Sequence, residues 1–372
     1  MRILYIVGRL GMGGDSSAIF NALEILIEEK KLKVSDVDFL THDIGYNQTK
    51  VNELRQKGYN VYILPGDVRK MGPVKYYFAV KKILNEMGPY DVVHTHTSVQ
   101  SGVALLAAKM CKVPKRVCHA HTNSIQRKTS AISRILITPI LRSLIVYAGT
   151  DRVACGKMAG EFLYGTHQFE ILENGIDLEL FGRASQEESK VMHNKLIDNE
   201  RQILVGHVGR FSEMKNQKYI ISLAERMNNC NVKFVLVGDG EGYEEVKHLA
   251  TKKNVAIDFL GRRSDIPQLM MAFDLLILPS LEGEGFPVTL VEAQAAGCPC
   301  IASTNVTMES DLGMNLLTFI DLADYQEWID QITSCNGKKI NKTQAIEHVK
   351  KLGFDKRDAA NKWFAVYESA VK

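Results

Sequence analysis

The sequence predicts an α/β protein of two domains, each built on a doubly wound parallel sheet, and three observations predict it. Short runs rich in Val, Ile and Leu alternate with longer stretches of helical period, the rhythm of stacked βαβ units. That rhythm starts twice, at Arg2 and again at Ile203, with a polar helical stretch over 185–201 between the two series. A chain of 372 residues also suits two domains at roughly 100 to 200 residues each.

Taken in order, the first series places strands at 2–7, 37–40, 60–64, 91–95, 116–120, 152–155 and 170–172. The second places them at 203–208, 233–237, 256–260, 275–278, 300–302 and 316–320. Each is a strand-length apolar run bounded by glycine, proline or polar residues. The last segment, 355–372, carries Trp363, Val366, Tyr367 and Ala370 at helical spacing and predicts a closing helix that packs toward the first domain. The domains are therefore expected at 1–180 and 181–354, two Rossmann-like units facing across a cleft with the closing helix crossing back. Open α/β sheets bind ligands beyond the carboxyl ends of their strands, so the loops that follow strands are where chemistry is sought.

Composition narrows the class. With 45% apolar and 24% charged residues and only nine prolines, the chain is a folded globular protein and neither disordered nor collagen-like. Seven cysteines, an odd count with one Cys298-Pro-Cys300, give no disulfide framework and no zinc ribbon, which favours a reducing compartment. The opening MRILYIVGRLG reads as a strand and not a signal peptide, and the apolar stretch 135–148 is broken by Thr138, Pro139, Arg142 and Ser143, short of a spanning helix. A cytoplasmic protein is expected.

Net charge is +3, unevenly spread: residues 1–175 hold 23 Lys+Arg against 15 Asp+Glu, and the remainder 23 against 28. Between Asp91 and Asp151 there is no acidic residue, while Lys109, Lys112, Lys115, Arg116, Arg127, Lys128, Arg134 and Arg142 fall there. Such a surface is either a solvated basic face or one that meets anionic lipid or a lipid-linked phosphate. Nucleic acid is disfavoured because no aromatic residues interleave with the charge in a recognition motif.

Several clusters follow strands. Gly8-Arg-Leu-Gly11-Met-Gly13-Gly14 feeds a helix whose exposed N–H groups suit a phosphate, although the spacing is not that of a dinucleotide fingerprint and a turn for tight packing explains it equally. Two His-x-His pairs, His94-Thr-His96 and His119-Ala-His121, point their rings to one side of an extended chain, as a metal site would. The stretch around them lacks carboxylates, so a core histidine or one bonded to a substrate hydroxyl is the preferred reading and no metal is expected. Gly209-Arg210 through Lys215-Asn216 sets two cations five residues apart at a helix start, suited to a diphosphate or else a surface pair in a turn. Leu278 to Gly297 joins a strand, an acidic glycine-rich turn and a helix. There Glu284 and Glu292, eight apart, can face one ligand, with Phe286-Pro287-Val288 opening the helix toward its phosphates. The bland reading of Glu292 is a capping box with Thr289.

In order, GGDSS (13–17), DVVHTHT (91–97), HAHTNS (119–124), ENGIDLELF (173–181), GRFSEMKN (209–216), LVGDGE (236–241), FLGRRSDIPQLM (259–270) and EGFPVTLVEAQAAG (284–297) resemble the motif series of the retaining glycosyltransferases of family 4, with the GT-B fold. Within it, VTLVEAQAAGCPCIAS followed by Glu309 is most similar to bacterial exopolysaccharide and capsule enzymes. The resemblance implies an N-terminal domain that receives the acceptor, and the leading reading is a glycan or lipid-linked acceptor at the inner face of a membrane met by the acid-free basic stretch. It implies a C-terminal domain that binds a nucleotide-diphosphate sugar, usually of uridine diphosphate, without metal or other cofactor. It further implies diphosphate contacts from Arg210 and Lys215, a ribose contact from Glu292 and a sugar contact from Glu284. Gly14 would approach phosphate, Gly261 and Arg262 would lie beside the base, and His121 would stand near the transferred sugar; Gly13 and Gly209 are further substrate-binding candidates. Asp15-Ser16-Ser17 departs from the family's common glutamate there, and Glu282 competes with the favoured Glu284. A metal-dependent hydrolase on the His-x-His pairs and a nucleotide-sugar epimerase are the alternatives.

Overall fold

The structure is a computed structural model; it describes residues 1–372 apart from 9, 12, 42–47, 67–70, 125–132, 229, 336, 338 and 369–372, and apart from the side chains of Asp15, Ser133 and Arg134. Of the predicted features, Arg127, Lys128, the side chains of Asp15 and Arg134, and the last four residues of the closing helix lie outside the described residues.

Two units form, Met1–Gly175 with Lys356–Lys372, and Ile176–Asp355. In the first, strands β1 (Ile3–Val7), β2 (Val37–Thr41), β3 (Asn60–Ile63), β4 (Val92–His96), β5 (Lys115–Ala120), β6 (Asp151–Ala154) and β7 (Glu170–Ile171) pair in the order 3-2-1-4-5-6-7, all parallel. Helices α1 (Gly14–Glu28), α2 (Gln48–Gln56), α3 (Pro73–Met87), α4 (Ser101–Met110), α5 (Thr138–Ala148) and α6 (Lys157–Tyr164) connect them. A sheet covered by helices on both faces buries every side chain of its central strands, and β1, β2 and β4 are buried throughout.

In the second unit β8 (Ile203–Val208), β9 (Val232–Val237), β10 (Ile257–Gly261), β11 (Leu275–Leu278), β12 (Cys300–Ser303) and β13 (Leu317–Ile320) pair in the order 10-9-8-11-12-13, again all parallel. Its helices are α7 (Leu178–Arg183), α8 (Gln186–Leu196), α9 (Gln217–Arg226), α10 (Tyr243–Lys252), α11 (Ile266–Ala272), α12 (Val288–Ala295), α13 (Tyr325–Thr333) and α14 (Lys342–Lys351). The chain then returns to the first unit as α15 (Lys356–Glu368), which packs on α1 and buries Trp363 and Tyr367 in that unit's core.

Two details differ from the sequence reading. Residues 176–180, expected in the first domain, belong to the second unit: Ile176 N–H donates to Phe354 O at 2.8 Å and bridges Asp355, and Asp177 caps α7 by accepting from Leu180 N–H at 3.3 Å. The helical stretch 185–201 ends at Leu196, and α7 precedes it.

Strand order reverses between β1 and β4 in the first unit and between β8 and β11 in the second. At such a switch point neighbouring loops diverge to opposite faces and leave a crevice, which is where ligands settle.

Candidate active site

The predicted C-terminal residues cluster at the carboxyl edge of the second sheet, in loops and at a helix start, with Gly261 at the end of β10 and Glu292 inside α12. The loop after β8 carries Gly209, Arg210, Lys215 and Asn216, and the loop after β11 carries Glu284 and Phe286. Hydrogen bonds tie these two loops across the switch point, with Leu281 N–H donating to Met214 O at 2.7 Å and the Asn216 side-chain Nδ2 donating to Pro279 O at 3.1 Å.

That tie brings Lys215 and Glu284 together. The Lys215 ammonium donates to Glu284 Oε1, and both side chains are buried, at 9% and 6% exposure. Glu284 Oε2 is buried and has no partner among the described residues. Glu282, its rival in the sequence, points to solvent. Helix α12 begins at Val288 with Pro287 as its N-cap residue and no side-chain cap, so Thr289 is already inside the helix and the capping-box reading of Glu292 fails. The Glu292 carboxyl is instead pushed up to about 7 by desolvation, against the pull of the Lys215 charge.

Around this pair the loops are close. Gly238, at φ +133°, passes Gly209 so tightly that a Cβ there would sit 2.0 Å from Gly209 O, which is why glycine ends β9. Arg210 Nε donates to Glu241 Oε2 at 2.9 Å, and Arg262 lies 3.7 Å from Asp239 on the rim. Gly261, with φ +62°, accepts from Gly238 N–H at 2.8 Å. His207, inside β8, was not singled out by the sequence. Its Nδ1 lies 3.0 Å from Ile277 O and its Nε2 3.1 Å from the Gln217 amide, so Nδ1 carries the proton and Nε2 accepts. Burial pushes His207 down to about 4 and keeps it neutral. A separate cleft of about 300 Å³ beside His193, Met271 and Lys339 holds none of the predicted residues.

The first unit gathers different chemistry. Register places the end of β1 beside His96, and β4 pairs with β5, so both His-x-His pairs meet on one face. His96 Nδ1 and His121 Nε2 are 2.7 Å apart, and the His119 and His121 rings stack at 4.1 Å. His94 Nδ1 meets the Tyr367 hydroxyl at 2.6 Å, which in turn meets Tyr5 at 2.9 Å. Burial, then the neighbouring imidazoles, hold His94, His96 and His119 well below their usual range, so these three are neutral. Their ligand atoms lie within 4.8 Å of one another and could hold a metal ion, although the group contains no carboxylate and the Trp363 indole packs against all three rings, with centroids at 4.9 to 5.8 Å. Gly13 and Gly14 open α1, where Ser17 N–H donates to Gly13 O at 3.0 Å.

Residues 188–334 match the family described as Glycosyl transferases group 1, and residues 36–180 match Glycosyltransferase Family 4. EpsF of Bacillus subtilis (strain 168), named as a glycosyltransferase, is 33% identical over all of this chain and 97% of its own length. The chain belongs to the family 4 glycosyltransferases.

The Escherichia coli UDP-Gal:alpha-D-GlcNAc-diphosphoundecaprenol alpha-1,3-galactosyltransferase is 28% identical over 71% of this chain and 74% of its own. Among solved structures, Anabaena HepE in complex with UDP superposes with a TM-score of 0.75 at 20% identity, over 99% of this chain and all of that one. Sucrose-phosphate synthase from Thermosynechococcus elongatus gives 0.73 at 15%, over 99% of each. Both likenesses establish the GT-B fold. Family membership gives the hydrolase and epimerase alternatives no support. The site residues absent from the sequence reading, His207, Gln217, Gly238 and Glu241, sit in or beside motifs that were noted, but their roles depend on pairings across the sheet edge that spacing does not reveal.

Proposed function

We propose that the protein transfers a sugar, with retention of configuration, from a uridine-diphosphate sugar to a hydroxyl of a glycan acceptor. The acceptor is carried on a lipid diphosphate during synthesis of a cell-surface polysaccharide. The second unit binds the donor and the first receives the acceptor. The observation that carries this reading is the buried Lys215–Glu284 pair at the switch point, with Glu284 Oε2 left open for a sugar hydroxyl. The names of relatives support the substrate classes: one E. coli relative is named for UDP-galactose and a diphosphoundecaprenol acceptor, and HepE is described with UDP-glucose.

In this mechanism the bond from the anomeric carbon to the β-phosphate oxygen breaks as the acceptor oxygen attacks on the same face. The acceptor's proton passes to the departing phosphate oxygen. Arg210, Lys215 and the backbone N–H groups of Phe286 and Val288 take up the charge that develops on the diphosphate, while Gly209 and Pro287 shape the loops that carry them. A single preorganised donor of this kind is worth about 3 kcal/mol in the transition state. Glu292 accepts from the ribose, Gly261 and Arg262 border the base, Gly13 and Gly14 approach phosphate, and His121 orients hydroxyls. No step is routed through a metal.

The test is product analysis with a panel of nucleotide sugars, with and without a lipid-diphosphate acceptor and with chelator. An α-linked product from an α-linked donor, formed with chelator present, supports the proposal. Turnover without acceptor, an inverted linkage, or dependence on added divalent metal contradicts it.

A further inference from the structure

The loop after β8 holds both cations of the second unit's site, Arg210 and Lys215, and buried polar groups behind it fix its shape. Phe211 is fully buried, and its N–H donates to Asp239 O at 2.7 Å. Asn216 turns the chain at φ +54°, a left-handed conformation that asparagine tolerates better than most residues, and α9 starts directly after it. Gln217, the first residue of α9, is 1% exposed, and His207 in β8 is 0% exposed. An amide and an imidazole buried this deeply are costly unless their polar atoms are matched.

Their matching allows one arrangement. Ile277 O can only accept, so the proton of the neutral His207 ring lies on Nδ1 and its Nε2 must accept. Facing Nε2 at 3.1 Å is the Gln217 Nε2 amide, whose other hydrogen goes to Arg210 O at 2.8 Å. Both partners require a donor, and one NH2 group serves both. The chain of bonds therefore runs from β11 through β8 to the start of α9 and ends on the backbone of Arg210. Lys215 stands on the same side: a Cβ on Gly209 would sit 3.4 Å from His207 Nε2 and 3.6 Å from Lys215 Cε, so the imidazole and the lysine stem flank one glycine. Loss of the Gln217 amide would release the Arg210 carbonyl and the imidazole beside Lys215 together.

We infer that His207 and Gln217 are positioning residues for the diphosphate site: the bond between them holds the 209–216 loop in the conformation that aims Arg210 and Lys215 at one ligand. They act through the loop and not on the nucleotide. The inference rests on the proposed function in taking these two cations as the diphosphate contacts. Displacing a preorganised donor costs more than the hydrogen bond that held it, because each phosphate oxygen must be met at a fixed distance.

Equilibrium dialysis of the full chain with labelled uridine diphosphate, and with labelled uridine, tests it. Gln217→Met and His207→Asn break the same bond from opposite ends. Each should weaken uridine diphosphate about tenfold or more and leave uridine unchanged, a split that a general loss of structure would not produce. His207→Gln, whose amide reaches the place of Nε2 and can accept from Gln217, should recover most of that loss. The inference is overturned if both breaking variants bind uridine diphosphate as the wild type does, if they weaken the two ligands alike, or if His207→Gln is as impaired as His207→Asn. It is also overturned if neither breaking variant folds, since the bond would then serve the fold and not the loop. Lys215→Ala reports the donor reading separately. Unchanged uridine diphosphate binding in that variant defeats the reading and the inference with it, whereas a loss there beside an unaffected Gln217→Met defeats the inference alone.

Discussion

The two units place their key residues alike, at a switch point on the carboxyl edge of a parallel sheet, yet fill those positions with opposite chemistry. In the second, a buried ion pair, Lys215 with Glu284, stands beside Arg210 and a carboxyl held near neutrality, Glu292. In the first, neutral imidazoles pack against Trp363, and the His121 and His96 ring nitrogens lie 2.7 Å apart. On the proposed function, the difference is a division of labour. Fixed charge and open backbone suit a diphosphate, whose charge grows as it leaves, while uncharged donors and acceptors suit a hydroxyl that must be aimed without being ionised.

The largest effect should come from the charged side. Lys215→Ala should lower turnover by about 10²- to 10³-fold. It should also lower stability, because Glu284 would keep a buried charge with no partner. Lys215→Met combined with Glu284→Gln should recover stability but not turnover; denaturant titration and initial rates read the two separately. Recovery of both would place the diphosphate elsewhere.

A second prediction concerns pH. The Glu292 carboxyl is raised from its ordinary 4.5 to about 7, so the folded state holds this proton more tightly than the unfolded chain. Its contribution to stability is therefore greatest below about 4.5 and falls as pH rises through 7, by on the order of 3 kcal/mol. Relative to wild type, Glu292→Gln should gain melting temperature between about pH 5 and about pH 8. Parallel curves for the two proteins would show that the carboxyl titrates normally.

On the neutral side, His96→Ala should cost about tenfold in kcat with little change in donor KM, because it frees the His121 ring without touching phosphate contacts. A large rise in donor KM would merge the two roles. The smallest effect is expected at the rim, where Arg262→Ala removes an exposed pair with Asp239 worth about 0 to 1 kcal/mol.

How much of this was legible in the sequence follows from what is local. All thirteen strands lie within a residue or so of their expected places, since most are written as short apolar runs bounded by glycine, proline or polar residues. The short helix α7 was missed because six residues give too little period, although Asp177 marks its start. The candidate residues were found by type and by their place after strands. Their partners were not, since Lys215 and Glu284 are 69 residues apart and His96 and His121 are 25 apart. Proximity across a sheet edge is fixed by strand order, which periodicity does not encode. The same limit hid His207, a polar residue inside a strand whose hydrogen bonds to Ile277 and Gln217 exist only in the folded sheet.

A crystal structure of the protein with uridine diphosphate tests the central claim most directly. The diphosphate should lie at the second unit's switch point within hydrogen-bonding distance of Arg210 and Lys215, with the ribose on Glu292. A nucleotide bound elsewhere, with both cations still paired to Glu241 and Glu284, would contradict it.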